Sequence, residues 1–591
     1  MVIRRYADKQ TPDDGEYQGR ARLPPCRNRI PSSNEEESQL NRSVALPDGA
    51  PCAREADLDE ARGDRAGFEI ARPPATAQYS IASNAARDLH HALLRKSVSV
   101  CPSRARSMSA SRKELGQFFT PEAVARTLVS WAARKSSDRL LDPSCGDGEF
   151  LSCHRRSVGI EVDTAHAASA RQRAPAALIH VGDFFNWAMR TTERFDAASG
   201  NPPFIRYQSF SGETRERAVA AAARLGARFN GLSSSWAPFL VVAATLLKAG
   251  GRMAFVVPAE IGHATYAEPL IECLCRHFDR VGVIAIREKL FPELSEDAWL
   301  LYCDGFGGST TQIEFSSWER FEASSEVPEF QREITLRAWR EGNRRLRRFL
   351  LSESLLGVYE DALGQATVRR FSELAHAGIG YVTGANDFFH LRPSEVRLWG
   401  LPKEMLRVSV RKGEQLPPDT VNDSVVRRWL GDDEPVLLLD LKGAASLPDS
   451  VKRYLSTADA ERARKTYKCQ NRSPWYAVPD VTVPNAFLTY MNGRSASLVA
   501  NHARCVCTNS IHAVRLKSKV SVPALQRAWS HPLCQLSCEL EGHPLGGGLL
   551  KLEPGEVART RLPVEGLDLS RRQQQQIDEA ILYLRRWRHY L

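Results

Sequence analysis

The chain has 591 residues, roughly three to four domains' worth of length, and its 43% hydrophobic and 25% charged content belongs to a folded globular protein rather than a fibrous or wholly unstructured one. No apolar run is long enough to span a bilayer and no secretory leader opens the sequence, so no membrane role is expected and a cytoplasmic protein is. A net charge of +10 and a pI of about 9.0 suit a polyanionic partner but are too common to name one. Residues 1–107 interleave charge, Pro, Ser and Arg without periodicity. They read as a disordered tail or as a misannotated start, with Met108 as the true one and a short helix over Ala85–Leu94 as the exception.

Gly116-Gln117-Phe118-Phe119-Thr120-Pro121 opens the patterned part. Thr120 is expected to cap a helix with Pro121 at its first position, running through Val124, Leu128, Val129 and Trp131. Arg139-Leu140-Leu141 then reads as a short strand ending in Asp142, followed by the turn Pro143-Ser144-Cys145-Gly146-Asp147-Gly148 into a helix. Gly146 and Gly148 let backbone come close to a ligand. The turn is neither a G-x-G-x-x-G fingerprint nor a P-loop. An acid where a phosphate cradle would stand suits a ligand with hydroxyls and an ammonium.

Val158-Gly159-Ile160 is a second strand, and its final acid, Glu161, lies at the position where a carboxylate takes ribose hydroxyls. A third strand ends in Asp183-Phe184, and a fourth, Phe195–Ala198, runs into Ser199-Gly200-Asn201-Pro202-Pro203-Phe204. Two prolines stop the ladder and stiffen that loop. The Asn201 side-chain oxygen and the Pro202 carbonyl can each accept an N–H, and Phe204 offers a stacking face. Together they suit the exocyclic amine of a planar heterocycle. Strand, helix, strand at this rhythm predicts a doubly wound parallel sheet.

This ordered set of motifs resembles the S-adenosylmethionine-dependent DNA adenine-N6 methyltransferases. Their order, cofactor motifs first and a recognition domain last, is similar to the gamma class of restriction–modification systems. Phe204 stands where many members have tyrosine. The resemblance implies an α/β protein: a Rossmann-like doubly wound methyltransferase sheet, then a mixed α/β target-recognition domain. It implies S-adenosylmethionine held by Phe119, Thr120, Asp142, Ser144, Cys145, Gly146, Asp147, Gly148, Glu161, Val162, Asp183 and Phe184. Asp142 would favour the methionine ammonium, Glu161 would take the ribose hydroxyls, and Asp183 the adenine amine with Phe184 beside the ring. Asn201, Pro202, Pro203 and Phe204 would form the catalytic loop, acting on an adenine flipped out of double-stranded DNA. Phe291 would help hold that base, although it reads as readily as a core residue. The implied setting is a modification enzyme of a restriction–modification or related defence system, monomeric, with a cognate restriction endonuclease as partner.

Farther on, Ser235-Trp236 opens an apolar helix, Gly250–Glu260 a turn and buried strand, and Asp297–Tyr302 a late strand. The expected domains are a catalytic one over 108–311, a helical connector over 312–365, with amphipathic helices in Arg337–Leu351, and a recognition domain over 366–591. Gly380–Phe389 reads as a tight turn between strands. Lys465-Thr466-Tyr467-Lys468 and Arg472-Ser473-Pro474-Trp475-Tyr476 interleave cations with aromatics. Lys465, Lys468 and Arg472 are expected on phosphates and Trp475 on a base, against the plainer reading of a solvated basic loop. Asn509–His512 and Gly546–Leu552 resemble family segments that shape the fold. Arg571–Leu591 reads as a packed helix with Ile577, Ile581, Leu582 and Leu584 inward.

Thirteen scattered cysteines read as reduced thiols. Cys505, Cys507, Cys534 and Cys538 invite a zinc site, but their spacing fits no standard pair. Core thiols are the better reading, and no metal is expected. Three other functions stay open: an RNA or protein-glutamine methyltransferase using the same loop, a fused restriction-methylase, and a catalytically silent DNA-binding subunit. No P-D…(D/E)-x-K strand supports the second, and the intact Asn-Pro-Pro-Phe speaks against the third.

Overall fold

A computed structural model of the chain describes residues 120–205, 212–229, 234–292, 297–444, 446–517 and 520–591. The readings of residues 1–107, of Met108 as the start and of Phe119 as a cofactor contact lie outside the described residues. Among those described, no helix is long and apolar enough to cross a membrane.

The first half is built on a nine-stranded sheet in the order β3-β2-β1-β4-β5-β7-β6-β8-β9. Its strands are β1 (Leu140–Asp142), β2 (Ser157–Glu161), β3 (Leu178–Val181), β4 (Phe195–Gly200), β5 (Leu247–Pro258), β6 (Phe278–Ile286), β7 (Ala298–Phe306), β8 (Gln312–Trp318) and β9 (Arg332–Thr335). β1 to β5 are mutually parallel, and β7 runs antiparallel between β5 and β6. The chain order reverses at β1, which pairs with β2 on one side and β4 on the other. In such a sheet the crevice beyond the carboxyl ends at the reversal is where ligands bind.

Alternation along the strands sorts side chains to two faces. Leu140, Ala197, Ala254, Val256 and Leu300 pack with Val124, Leu128, Val129 and Trp131 of helix α1 (Glu122–Ala132). Leu141, Ala198, Met253, Phe255, Val257 and Leu301 face the other way, into the core filled by α5 (Gly212–Ala223), α6 (Trp236–Thr245) and α7 (Ala267–His277). Strands covered on both faces read as continuous apolar runs, as Met253–Val257 does. Short helices α2 (Glu149–Ser152), α3 (Thr164–Arg173) and α4 (Phe184–Arg190) follow β1, β2 and β3.

Three expectations are corrected. The segment 312–365 is not wholly a helical connector: β8 and β9 extend the sheet, because Ile313 and Phe315 alternate inward while Gln312 and Glu314 stay wetter. Gly380–Phe389 leads from the strand Ala375–Ile379 into a short helix, Asn386–Phe389, rather than straight into a second strand. In the last helix, Arg571–Trp587, Leu582 is 46% exposed, and Ala580, Arg585 and Trp587 join Ile577, Ile581 and Leu584 on the buried side.

The second half carries a five-stranded, mostly antiparallel sheet, Ala375–Ile379, Ile511–Leu516, Ala486–Thr489, Leu498–Asn501 and Thr420–Val421 in spatial order, and a four-stranded sheet beside it. The two halves share a core. Leu533, Leu536 and Leu540 of one C-terminal helix and Ile577, Ile581 and Leu584 of the last belong to the cluster around α5, α6 and α7. A buried ion cluster adds to this. Glu539 accepts from Arg585 at 3.2 Å and from Arg588 at 2.9 and 2.8 Å, with Arg347 at 3.7 Å. Arg345, from the same segment as Arg347, donates to buried Glu556 at 2.9 Å. The four cysteines considered for zinc fall in separate places: Cys505 and Cys507 in one core cluster, Cys534 and Cys538 in another.

Candidate active site

The carboxyl ends of β1, β2, β3 and β4 surround a cleft of about 330 Å³. Thr120, Ser144, Cys145, Gly146, Asp147, Glu161, Val162, Asp183, Phe184, Asn201 and Pro203 line it. Residues spread over more than eighty positions of sequence are thus brought together by the reversal at β1.

Asp142 ends β1 and is fully buried. One of its oxygens, Oδ1, accepts the Ser144 N–H at 3.1 Å, while Oδ2 has no hydrogen-bond partner among the described residues. Burial pushes its pKa up to about 8, and Glu161 and Asp147 add to that against the pull of the Ser144 N–H. A buried acceptor with no donor is costly unless a partner arrives. The sheet also crowds it: a Cβ added at Gly200 would stand 2.6 Å from Asp142 Oδ1, so β4 passes the acid only because residue 200 has no side chain. A Cβ added at Gly148, at φ +89°, would stand 2.9 Å from Ala170 Cα of α3. Burial also drives the Cys145 thiol upward, so it is no thiolate nucleophile.

Glu161 is engaged by backbone on both sides. Its Oε2 accepts from Gly146 N at 2.9 Å and its Oε1 from Asp163 N at 2.8 Å. This carboxylate shapes the glycine turn and keeps lone pairs for further donors. Asp183 caps α4 through Oδ1, which accepts Asn186 N at 2.8 Å. Phe184 stacks on Phe239 at 5.2 Å between ring centroids and presents an edge of the cleft.

The Asn-Pro-Pro-Phe loop leaves β4 at this point. Asn201 Nδ2 donates to Thr120 Oγ1 at 3.2 Å, and Asn201 Oδ1 is buried with no partner among the described residues. No described residue donates to the Pro202 carbonyl either. Thr120 therefore does not cap α1; Pro121 occupies the cap position without a side-chain bond. Ser235 was legible only as the start of α6. It is fully buried, and its hydroxyl donates to Pro203 O at 2.5 Å and accepts Ile205 N at 3.1 Å, clamping the loop. Phe204 is half-buried and packs against the cores on both faces of the sheet, while Phe291 is 6% exposed within the α1-side core that Phe204 also touches.

The basic–aromatic stretch divides. Arg472 donates to Thr383 O at 2.6 Å and to Val382 O, and Trp475 packs against Phe388, Phe389 and Tyr476. Both side chains are engaged within the second half while staying half-exposed. Their partners are distant in sequence and invisible to a local reading. Lys465 is exposed, and Lys468 is half-exposed against Gly384.

Residues 105–174 match the family model described as N-6 DNA Methylase, and residues 343–587 match the C-terminal domain of Type II methyltransferase M.Eco57I. These matches make the chain a methyltransferase similar to the N6 DNA methylases. This methylase is 25% identical over 470 residues to Type II methyltransferase M.XamI of Xanthomonas campestris pv. amaranthicola, covering 76% of the chain and 85% of that protein. It is 31% identical over 165 residues to Type II methyltransferase M.TthHB8I of Thermus thermophilus, covering 26% of the chain and 36% of that protein. Among solved structures, the type IIG restriction endonuclease BpuSI is 17% identical, with 80% of this chain and 62% of that one covered and a TM-score of 0.38.

S-adenosylmethionine is the cofactor of this methylase, and the cleft fits it. Glu161 and Gly146 line it at the end of β2 and in the turn after β1, and Asp142, whose Oδ2 is buried with no partner among the described residues, ends β1 close by; Gly148 instead faces Ala170 of α3 and is not part of the lining.

Proposed function

We propose that this methylase transfers the methyl group of S-adenosylmethionine to N6 of an adenine flipped out of double-stranded DNA at a specific sequence. The observation that carries the reading is the Asn201 Oδ1, buried, aimed from the end of β4, and without a partner among the described residues. It needs an N–H, and an exocyclic amine brings two. The second belongs to the Pro202 carbonyl.

When bound, the cofactor supplies a methyl group on positively charged sulfur. The chain's residues do the rest by placement. The amine lone pair is delocalised into the ring; accepting both N–H bonds at Asn201 and Pro202 draws it back onto nitrogen. Phe204 gives the base a stacking face, with Phe291 behind it in the same core, offsetting an unstacking cost on the order of a few kcal/mol. Asp142 faces the ammonium, Glu161 the ribose, and Asp183 with Phe184 the cofactor's ring. Outside the site, Lys465 and Lys468 are the cations we assign to phosphates.

The match of 343–587 to the C-terminal domain of a type II methyltransferase supports DNA, and supports a place in a restriction–modification system with a cognate endonuclease on the same site. The chain would act as a monomer in the bacterial cytoplasm, where the DNA lies. A second reading rests on a shorter match: the chain is 29% identical over 178 residues, 28% of its length, to a tRNA1(Val) (adenine(37)-N6)-methyltransferase of Actinobacillus succinogenes, a protein matched over 72% of its length. RNA would then be the substrate. Labelled methyl transfer to unmethylated duplex DNA, beside RNA and protein extracts, separates the two. We expect label in DNA, recovered as N6-methyladenine; label in RNA alone would contradict the assignment of the C-terminal half.

A further inference from the structure

A primary amide can sit either way round in its pocket, but only one way is useful here. With Oδ1 toward the cleft, Asn201 accepts an N–H. Turned over, it would set its own NH₂ against the two N–H groups of the target amine. In the structure Nδ2 donates to Thr120 Oγ1 at 3.2 Å and the buried Oδ1 has no partner among the described residues.

Thr120 reaches Asn201 from 81 residues earlier in the chain. It is 7% exposed and lines the same cleft. It stands just before Pro121, where a threonine ordinarily caps a helix, yet it makes no cap bond. Its branched Cβ restricts χ1, which narrows where the hydroxyl can point. On the adenine-N6 reaction proposed above, on which this rests, the geometry points to Thr120 as the positioning residue of Asn201. The hydroxyl oxygen accepts from the amide and keeps the carbonyl facing the target amine. The hydroxyl proton is left for an acceptor in the cleft.

The test compares Thr120→Val, Thr120→Ser and Asn201→Ala in the full chain. Two readings are taken: S-adenosylhomocysteine binding by calorimetry, and single-turnover methyl transfer into duplex DNA. Valine keeps the shape and removes the acceptor. Thr120→Val should slow transfer about tenfold, the worth of one hydrogen bond, and lower the rate by clearly more than it lowers S-adenosylhomocysteine affinity, to which Thr120 also contributes as part of the cleft lining. Thr120→Ser should restore the rate. Retained binding also shows that the variant is folded. Thr120→Val transferring at the wild-type rate overturns the inference alone. So does a Thr120→Val that loses affinity in step with rate, since Thr120 would then be a cofactor contact only. If Asn201→Ala still transfers methyl, or the wild-type chain labels no DNA, the parent reading falls and this one with it.

Discussion

Asp142 sets a conflict between stability and binding at a single residue. Its carboxyl is buried and its pKa stands at about 8, above the ordinary 3.8. The folded apo chain therefore keeps a proton that the unfolded chain has already released, and its stability falls as pH rises across that window. A cationic ligand beside Oδ2 favours the ionised form, so affinity for S-adenosylhomocysteine, through its ammonium, should rise with pH until about 8. Asp142→Asn should remove both dependences: apo melting no longer falls through the window, and binding is weaker and flat with pH. Calorimetry across pH checks it, and a wild-type affinity that does not change with pH would contradict it. The sequence made the acid legible by its place at a strand end. It did not reveal that Gly200 must be bare for β4 to pass it, because that 2.6 Å approach exists only once two strands are side by side.

At the scale of elements, two helix N-termini hold the Asn-Pro-Pro-Phe loop. Thr120 precedes α1 and Ser235 precedes α6, and in sequence each looks like the start of a helix. In the structure neither side chain caps its helix; both hydroxyls go to residues 201–205. A local reading assigns a hydroxyl to its own helix because capping is a contact within three residues. The competing partner comes from the sheet. Ser235→Ala should leave the Ile205 N–H and the Pro203 carbonyl short of a partner, costing about 1–3 kcal/mol of stability. It should also reduce methyl transfer more than it reduces S-adenosylhomocysteine binding. Urea titration with the two assays checks both parts; an unchanged variant would show that the prolines alone hold the loop. The strands β1 to β5 and β7 were legible from their apolar runs or acidic ends, whereas β6 was not read. The strands β8 and β9 were missed because charged residues between them hide a short alternation at the sheet's far edge.

For the whole molecule, the question is how a sheet that binds the cofactor is kept in register with the half that follows it. The shared core of α5, α6 and α7 with the C-terminal helices does part of this. Glu539 does another part, with Arg585, Arg588 and Arg347 around it, all buried. Burial lowers the Arg347 pKa to about 10 even with Glu539 raising it. Removing one side of such a cluster strands the charges of the other. Glu539→Gln should cost about 3–5 kcal/mol in urea unfolding while leaving the cleft residues untouched; a variant as stable as the wild type would mean that the guanidiniums reach water. None of this was legible, since Arg345, Arg347 and Glu539 read as ordinary surface charges until the chain folds back on itself. The central claim lies with Asn201, whose open carbonyl oxygen is where the whole arrangement converges. Transfer of labelled methyl to unmethylated duplex DNA by the wild type and by Asn201→Ala tests it most directly. The account predicts N6-methyladenine from the wild type and none from the variant, with S-adenosylhomocysteine bound equally by both. Label in DNA from Asn201→Ala, or loss of cofactor binding together with activity, would contradict it.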